Sequence, residues 1–161
     1  ENIECWKTAL TMSAPTGFVC SRQKLRNLKG QKVTGDVSNG GYLLEKREGA
    51  DVTLMASGSE VALCLDAAAE LEKQDIIANV VSVPCFDLLC EQSEDYIDEI
   101  INMDETFVIA VEAATAVEYY KFADKVIGMT GFGESGKANE LFEKFGFTTD
   151  KLVANIKQFV S

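Results

Sequence analysis

The sequence predicts a three-layer α/β/α sandwich around a mostly parallel five-stranded sheet with one antiparallel strand. Short apolar runs, Val52 to Ala56, Ala78 to Val83 and Phe107 to Val111, read as strands buried on both faces. Between them lie stretches with apolar residues at three- and four-residue spacing, the mark of crossover helices. The link between the first two strand candidates, Tyr42 to Glu45 and Val52 to Ala56, is too short for a helix, so these two should run antiparallel as a hairpin, with the first at or near an edge. In such sheets ligands favour the carboxyl ends of the strands.

In chain order, Ile3, Trp6 and Leu10 mark the apolar face of an opening helix that Pro15-Thr16-Gly17 ends, and Phe18 to Ser21 is a short strand candidate. Gln23 to Asn39 carries scattered Gly and Asn and no sustained period, and reads as a linker. Gly40-Gly41 opens the Tyr42 strand. After Val52 to Ala56, Ser57-Gly58-Ser59-Glu60 has the pattern of a capping box, and Val61, Cys64, Leu65, Ala68 and Leu71 give its helix one apolar face. The next strand is closed by Pro84. Phe86 to Leu89 is an apolar patch, and Tyr96, Ile97, Ile100 and Ile101 are the core face of an acidic helix. After Phe107 to Val111, Thr115 to Ala123 is expected to be helical with Val117, Tyr120 and Phe122 inward. Val126 to Met129 is then the last strand, Gly146 ends a helix carrying Leu141, Phe142 and Phe145, and Thr148 or Thr149 caps a final helix facing inward through Leu152, Val153, Ile156 and Val160.

At 161 residues and 47% apolar content the chain fits one domain with a continuous core. No apolar run reaches the ~18 residues of a membrane span and no signal pattern opens the chain, which places it in the cytoplasm. A start at Glu1-Asn2-Ile3, without methionine and already inside a helix, reads as part of something longer. A net charge of −11 argues against nucleic-acid and anionic-membrane surfaces. Against that background Arg22, Lys24, Arg26, Lys29 and Lys32 form a basic segment, either a solvated linker or a contact for a phosphorylated ligand or an acidic neighbour. With no histidine, no Cys-x-x-Cys and an odd five cysteines, zinc ligation and dithiol chemistry have almost nothing to rest on, and histidine-based catalysis is excluded within this chain.

Four motifs deserve a chemical reading. Gly131-Phe132-Gly133-Glu134-Ser135-Gly136-Lys137-Ala138 satisfies Gly-x-Gly-x-x-Gly and nearly a P-loop. However, Ala138 stands where a magnesium-holding hydroxyl belongs, Glu134 would sit among phosphates, and no second strand follows, so it reads as a glycine-rich turn. Ser57 to Glu60, at a strand's carboxyl end and a helix N-terminus, is suited to an anion, but the capping box already accounts for it. Glu112, just past a strand, is either an acid or base in a crevice or a partner of nearby amides. Arg22, in Ser21-Arg22-Gln23, either holds a phosphate by paired hydrogen bonds or ties the linker to a neighbouring domain.

Nine stretches, taken together and in order, resemble the C-terminal portion of transketolase: Glu4-Cys5-Trp6-Lys7, Ser21-Arg22-Gln23-Lys24-Leu25, Gly41-Tyr42-Leu43-Leu44, Ala56-Ser57-Gly58-Ser59-Glu60-Val61, Val81-Ser82-Val83-Pro84, Val111-Glu112-Ala113, Ile127-Gly128-Met129, Phe132-Gly133-Glu134-Ser135, and Leu141-Phe142-Glu143-Lys144-Phe145-Gly146-Phe147-Thr148. The resemblance implies residues 1–23 as the tail of a pyrimidine-binding domain, 24–39 as a linker, and 40–161 as a transketolase C-terminal domain. It implies ketol transfer between sugar phosphates in the pentose phosphate pathway by a homodimer. Thiamine diphosphate and magnesium or calcium would be held by domains absent from this chain, and the chain alone would be inactive. It gives Arg22 the role of substrate-phosphate contact and assigns no catalytic, cofactor or metal residue here. The sequence departs from the family at Ala114, at Val117-Glu118-Tyr119-Tyr120 in place of a Trp-His pair, and at Gly136-Lys137. Two other readings compete: an anion- or nucleotide-binding regulatory module using Ser57 to Glu60 and the Gly131 loop, and the same domain of another thiamine enzyme. The Leu141 to Thr148 ending favours transketolase among the thiamine enzymes.

Overall fold

The computed structural model describes residues 1–28 and 36–160, so Lys29 and Lys32 of the basic segment lie outside the described residues. Its centre is a five-stranded sheet in the order β1-β3-β2-β4-β5, made of β1 (Tyr42–Glu45), β2 (Val52–Ala56), β3 (Ala78–Ser82), β4 (Phe107–Val111) and β5 (Lys125–Ile127). The pairs β2–β3, β2–β4 and β4–β5 are parallel, and β1–β3 is antiparallel. The expected sandwich and its single antiparallel strand are therefore observed.

Side chains alternate across the sheet as the period of two requires. Leu44, Val52, Leu54, Val80, Ile109 and Val111 join one core with α2 (Gly58–Glu72), α5 (Ala138–Phe145) and α6 (Thr149–Val160). Leu43, Met55, Val81, Val108 and Ala110 join a second core with α3 (Phe86–Cys90) and α4 (Glu94–Ile101). On that second face the buried hydroxyls of Thr53 and Thr106 bond each other at 2.8 Å, so neither enters the core unpaired.

Three expectations are corrected, and one apolar patch, Phe86 to Leu89, acquires a structure. First, β1 lies antiparallel at an edge, but it pairs with β3 and not with β2. Both flanks of β2 are occupied by parallel neighbours, and the connection 46–51 passes across the amino end of β3. Six residues reach ~20 Å, twice the ~10 Å between alternate strands. Arg47 N–H donates to Asn79 Oδ1 (2.9 Å) and Ile77 N–H to Asp51 Oδ2 (2.8 Å), which fixes that path. Second, Phe18 to Ser21 forms no strand, while Phe18 stacks on Trp6 of α1 (Asn2–Thr11) with ring centroids 4.3 Å apart. Third, Phe86–Cys90 is a one-turn helix; Gly40 makes room for it, since a Cβ there would lie 2.4 Å from Cys85 O and Leu89 N.

Fourth, the segment after β4 is a 3₁₀ helix over Val117–Lys121 and not an α-helix. Three residues per turn align positions three apart, so Ala116, Tyr119 and Phe122 face inward, at 3%, 5% and 6% exposure, while Val117 and Tyr120 face solvent. The remaining helices follow the sequence. Ile97, Ile100 and Ile101 of α4 and Leu152, Val153 and Ile156 of α6 are buried, and Gly146 closes α5.

Candidate functional site

The chain leaves β2 toward one face of the sheet and leaves β4 toward the other, because α2 packs in the first core and Tyr119 in the second. Ala56 and Val111 are register partners. The strands therefore open a crevice at their carboxyl ends, where a change of direction between neighbours leaves a gap. Ser57 and Glu112 face each other across it.

Here the local structure differs from the capping box expected at Ser57. The Ser57 side chain makes no cap bond. Its backbone N–H donates instead to Glu112 Oε1 at 2.5 Å, and the Tyr119 hydroxyl donates to the same oxygen at 3.2 Å. Glu60 turns inward, accepting from the Ser59 hydroxyl at 2.6 Å, and its carboxyl comes near the Ala113 amide and the Glu112 carboxyl. Of the two roles open to Glu112, the structure shows the partner of a backbone amide. It also brings Glu60 to it, a juxtaposition the sequence did not reveal.

Both carboxyls are buried, at 6% and 7% exposure. Burial pushes each above the ordinary carboxylate range, and at Glu112 the Glu60 charge pushes the same way against the bonds from Ser57. Burial and then the Glu112 charge hold the Tyr119 phenol neutral far above its usual range, and burial does the same to the Cys64 thiol. The cluster can store a proton and donate hydrogen bonds. It leaves no nucleophile ionised, and two acids at the N-terminus of α2 would repel the phosphate that this terminus otherwise suits.

Beside Ser57 opens a cavity of about 570 Å³, walled on one side by α1 and the following segment to Leu25, on the other by Ser57, Gly58, Pro84 and Cys85. Glu1 tethers α1 to the sheet, its Oε2 accepting from Tyr42 Oη at 2.9 Å and Ser82 Oγ at 2.5 Å. Ser21 and Gln23 line the cavity, and a Cβ placed on Gly58 would stand 3.7 Å from Ser21 Oγ. Gly58 has φ +48°, a left-handed conformation that favours glycine. Arg22, between two cavity-lining residues, is exposed and has no hydrogen-bond or ion-pair partner among the described residues. Its neighbour Arg26 is engaged, bonding Asp66 at 2.6 Å and Ala62 O at 3.0 Å on α2.

The Gly131 loop is solvent-facing. Phe132 is 98% exposed, and Gly131 and Gly133 face open space. Glu134 pairs with Lys144 at 2.5 Å and Lys137 with Glu140 at 3.2 Å, so the loop's lysine is engaged by an acid of the following helix.

A family model, the transketolase-like C-terminal domain, matches residues 40–148. The chain belongs to the transketolase C-terminal domain family. Along its whole length it is 38% identical to transketolase 2 of Vibrio parahaemolyticus, of which it covers 25%. A crystal structure of transketolase from Campylobacter jejuni superposes with a TM-score of 0.91 and 49% identity over 98% of this chain and 24% of that one. A transketolase from Pichia stipitis in complex with sedoheptulose 7-phosphate gives a TM-score of 0.73 and 36% identity over 76% of this chain and 18% of that one. The resemblance carried by the nine motifs is borne out, and the chain spans about a quarter of the length of the curated relatives it matches.

The described residues contain no group of three or more His, Cys, Asp or Glu side chains placed to hold a metal ion, and the acids of the crevice already hold one another and their amides. This set does not fit the cation and diphosphate of a thiamine cofactor. No helix among the described residues is long and apolar enough to cross a membrane.

Proposed function

We propose that this chain is the C-terminal part of a cytoplasmic, homodimeric transketolase that transfers a two-carbon ketol unit between sugar phosphates. In the whole enzyme, thiamine diphosphate and a divalent cation, held by domains outside this chain, supply the carbanion chemistry. Residues 1–23 end the preceding domain, 24–39 link it, and 40–161 form a domain that supports the dimer and borders the substrate channel. The observation that carries this reading is the whole-chain likeness to transketolases, at 49% identity and TM-score 0.91 for the Campylobacter jejuni enzyme. The sugar phosphate in the Pichia stipitis complex supports the substrate class.

Arg22 is the residue of this chain we assign to the substrate phosphate. Arg22 stands between two residues that line a cavity and has no partner among the described residues, whereas Arg26, four residues on, is tied to α2. A planar fork of donors suits a phosphate. The regulatory-module reading is the weaker one, because Glu112 already occupies the Ser57 amide and Lys137 is paired with Glu140.

The test is ketol transfer with thiamine diphosphate and magnesium, by this chain alone and by the complete protein carrying Arg22→Ala. We expect no turnover from the chain alone. In the complete protein we expect KM for phosphorylated substrates to rise on the order of tenfold or more, the worth of a charge-assisted bond, with unphosphorylated substrates unchanged. Turnover by the chain alone would refute its supporting role, and an unchanged KM would make Arg22 structural.

A further inference from the structure

The sheet's carboxyl end holds two buried acids, Glu60 and Glu112, on neighbouring elements. Every group around the pair can be named. From the end of β2 come the Ser57 amide and hydroxyl, from α2 the Ser59 hydroxyl and the neutral thiol of Cys64, from the end of β4 the Ala113 amide, and from the 3₁₀ segment the Tyr119 hydroxyl, on which the Glu118 charge also acts. Among the described residues no lysine or arginine pairs with either carboxylate. Glu112 grips the turn that carries Glu60, both carboxyls are buried, and two ionised carboxylates that close repel strongly when water is excluded, which favours a proton on one.

We propose that Glu60 and Glu112 hold a single proton between them, and that this carboxyl–carboxylate pair fixes the β2–α2 turn as the seat for Ser21–Gln23, the segment that carries Arg22. The path is short. Glu112 grips the Ser57 amide, Gly58 follows in its left-handed conformation, and Ser21 Oγ lies beside it, 3.7 Å from where a Cβ on Gly58 would stand. The two acids are positioning residues that act on substrate through the turn. The seat rests on the assignment of Arg22 above, whereas the shared proton does not.

Infrared difference spectra of the complete protein, wild type against Glu60→Gln and against Glu112→Gln, test the proton. At about pH 7 we expect a carbonyl stretch of a protonated carboxyl in the wild type that each substitution removes. No such band, or one that both substitutions leave in place, overturns the pair. If Glu112→Gln does not fold, the isosteric Glu60→Gln decides alone. The seat is tested by the ratio of KM values for phosphorylated and unphosphorylated substrates as a function of pH. As pH rises the proton leaves, two charges face each other and the turn loosens. The ratio is therefore expected to rise several-fold in the wild type and to stay flat in Glu60→Gln, which has only one charge to hold. Identical profiles in the two proteins overturn the seat. Arg22→Ala serves as control. If it leaves phosphorylated substrates untouched, the phosphate assignment fails, while the infrared result still judges the pair.

Discussion

Helices α1 and α2 look alike as sequence and meet opposite fates. Each places apolar residues at three- and four-residue spacing. In α2 those residues close onto the sheet, with Val61, Cys64, Ala68 and Leu71 at 4% exposure or less. In α1, Ile3, Trp6 and Leu10 stand 72%, 52% and 81% exposed, and no residue of the helix is buried. An amphipathic stripe states that a helix wants a partner without saying which one. Helix α2 finds its partner within this chain. Helix α1 is held here by the Glu1 tether and the Trp6–Phe18 stack, which fits the proposal that it belongs to a preceding domain.

Core truncation should separate the two regions most widely. Leu54 of β2 is fully buried between α2 and its neighbouring strands, so Leu54→Ala is expected to cost about 2–5 kcal/mol through lost transfer energy and a residual cavity. Urea unfolding measures it. A cost within experimental error would mean that the sheet is not the stabilising centre of the chain.

Next in size comes the crevice. Glu112→Ala leaves the Ser57 amide and the Tyr119 hydroxyl without their acceptor, a penalty of about 1–3 kcal/mol where no water replaces it. Glu112→Gln keeps an acceptor and should cost clearly less in the same urea titration. Equal losses would show that volume, and not the hydrogen bonds, matters there.

The pH dependence of the melting temperature follows from the same acids. Folded Glu60 and Glu112 bind protons more tightly than the unfolded chain, whose carboxyls titrate near 4.5. Below that value both states are protonated and the contribution is fully present. As pH rises from 4.5 through the raised folded values, the unfolded chain releases its protons first and stability falls. Replacing Glu60 by Gln should flatten this decline. A wild-type melting temperature that climbs across the same interval by an amount Glu60→Gln does not alter would contradict the assignment.

Much of the fold was legible because local signals and global packing agree. The apolar runs Val52 to Ala56 and Phe107 to Val111 are central strands with the bounds read from them, and Gly146 ends α5 as expected. What escaped depended on non-local geometry. Nothing near Tyr42 says that its strand will step over β3. A helical period of 3.6 does not point to Tyr119, because Ala116, Tyr119 and Phe122 obey a period of three. Glu60 fitted a capping box so well that its pairing with Glu112, 52 positions away, left no trace in either local pattern. The exposed Arg22 could be named from its motif, yet its surroundings became visible only once the chain placed Ser21 against Gly58.

The smallest expected effects lie at exposed side chains, at Arg26 and on α1. Arg26 reaches α2 through Asp66 and Ala62 O, but both charged partners are about half exposed, at 47% and 49%. Water competes for such a pair and salt screens it, so Arg26→Ala should cost about 0.2–1 kcal/mol, and less at high ionic strength. Leu10→Ala on α1 should fall within about 0.5 kcal/mol of the wild type in this chain, because a side chain already in water loses little when shortened. The informative step is to repeat both substitutions in the complete protein. Arg26 bonds within this chain, so its cost should not change. Leu10 should become costly there, moving toward the value of a buried leucine once the preceding domain covers it. If Leu10→Ala stays silent in the complete protein, the exposed face of α1 is a solvent face after all, and the contrast with α2 has lost its explanation.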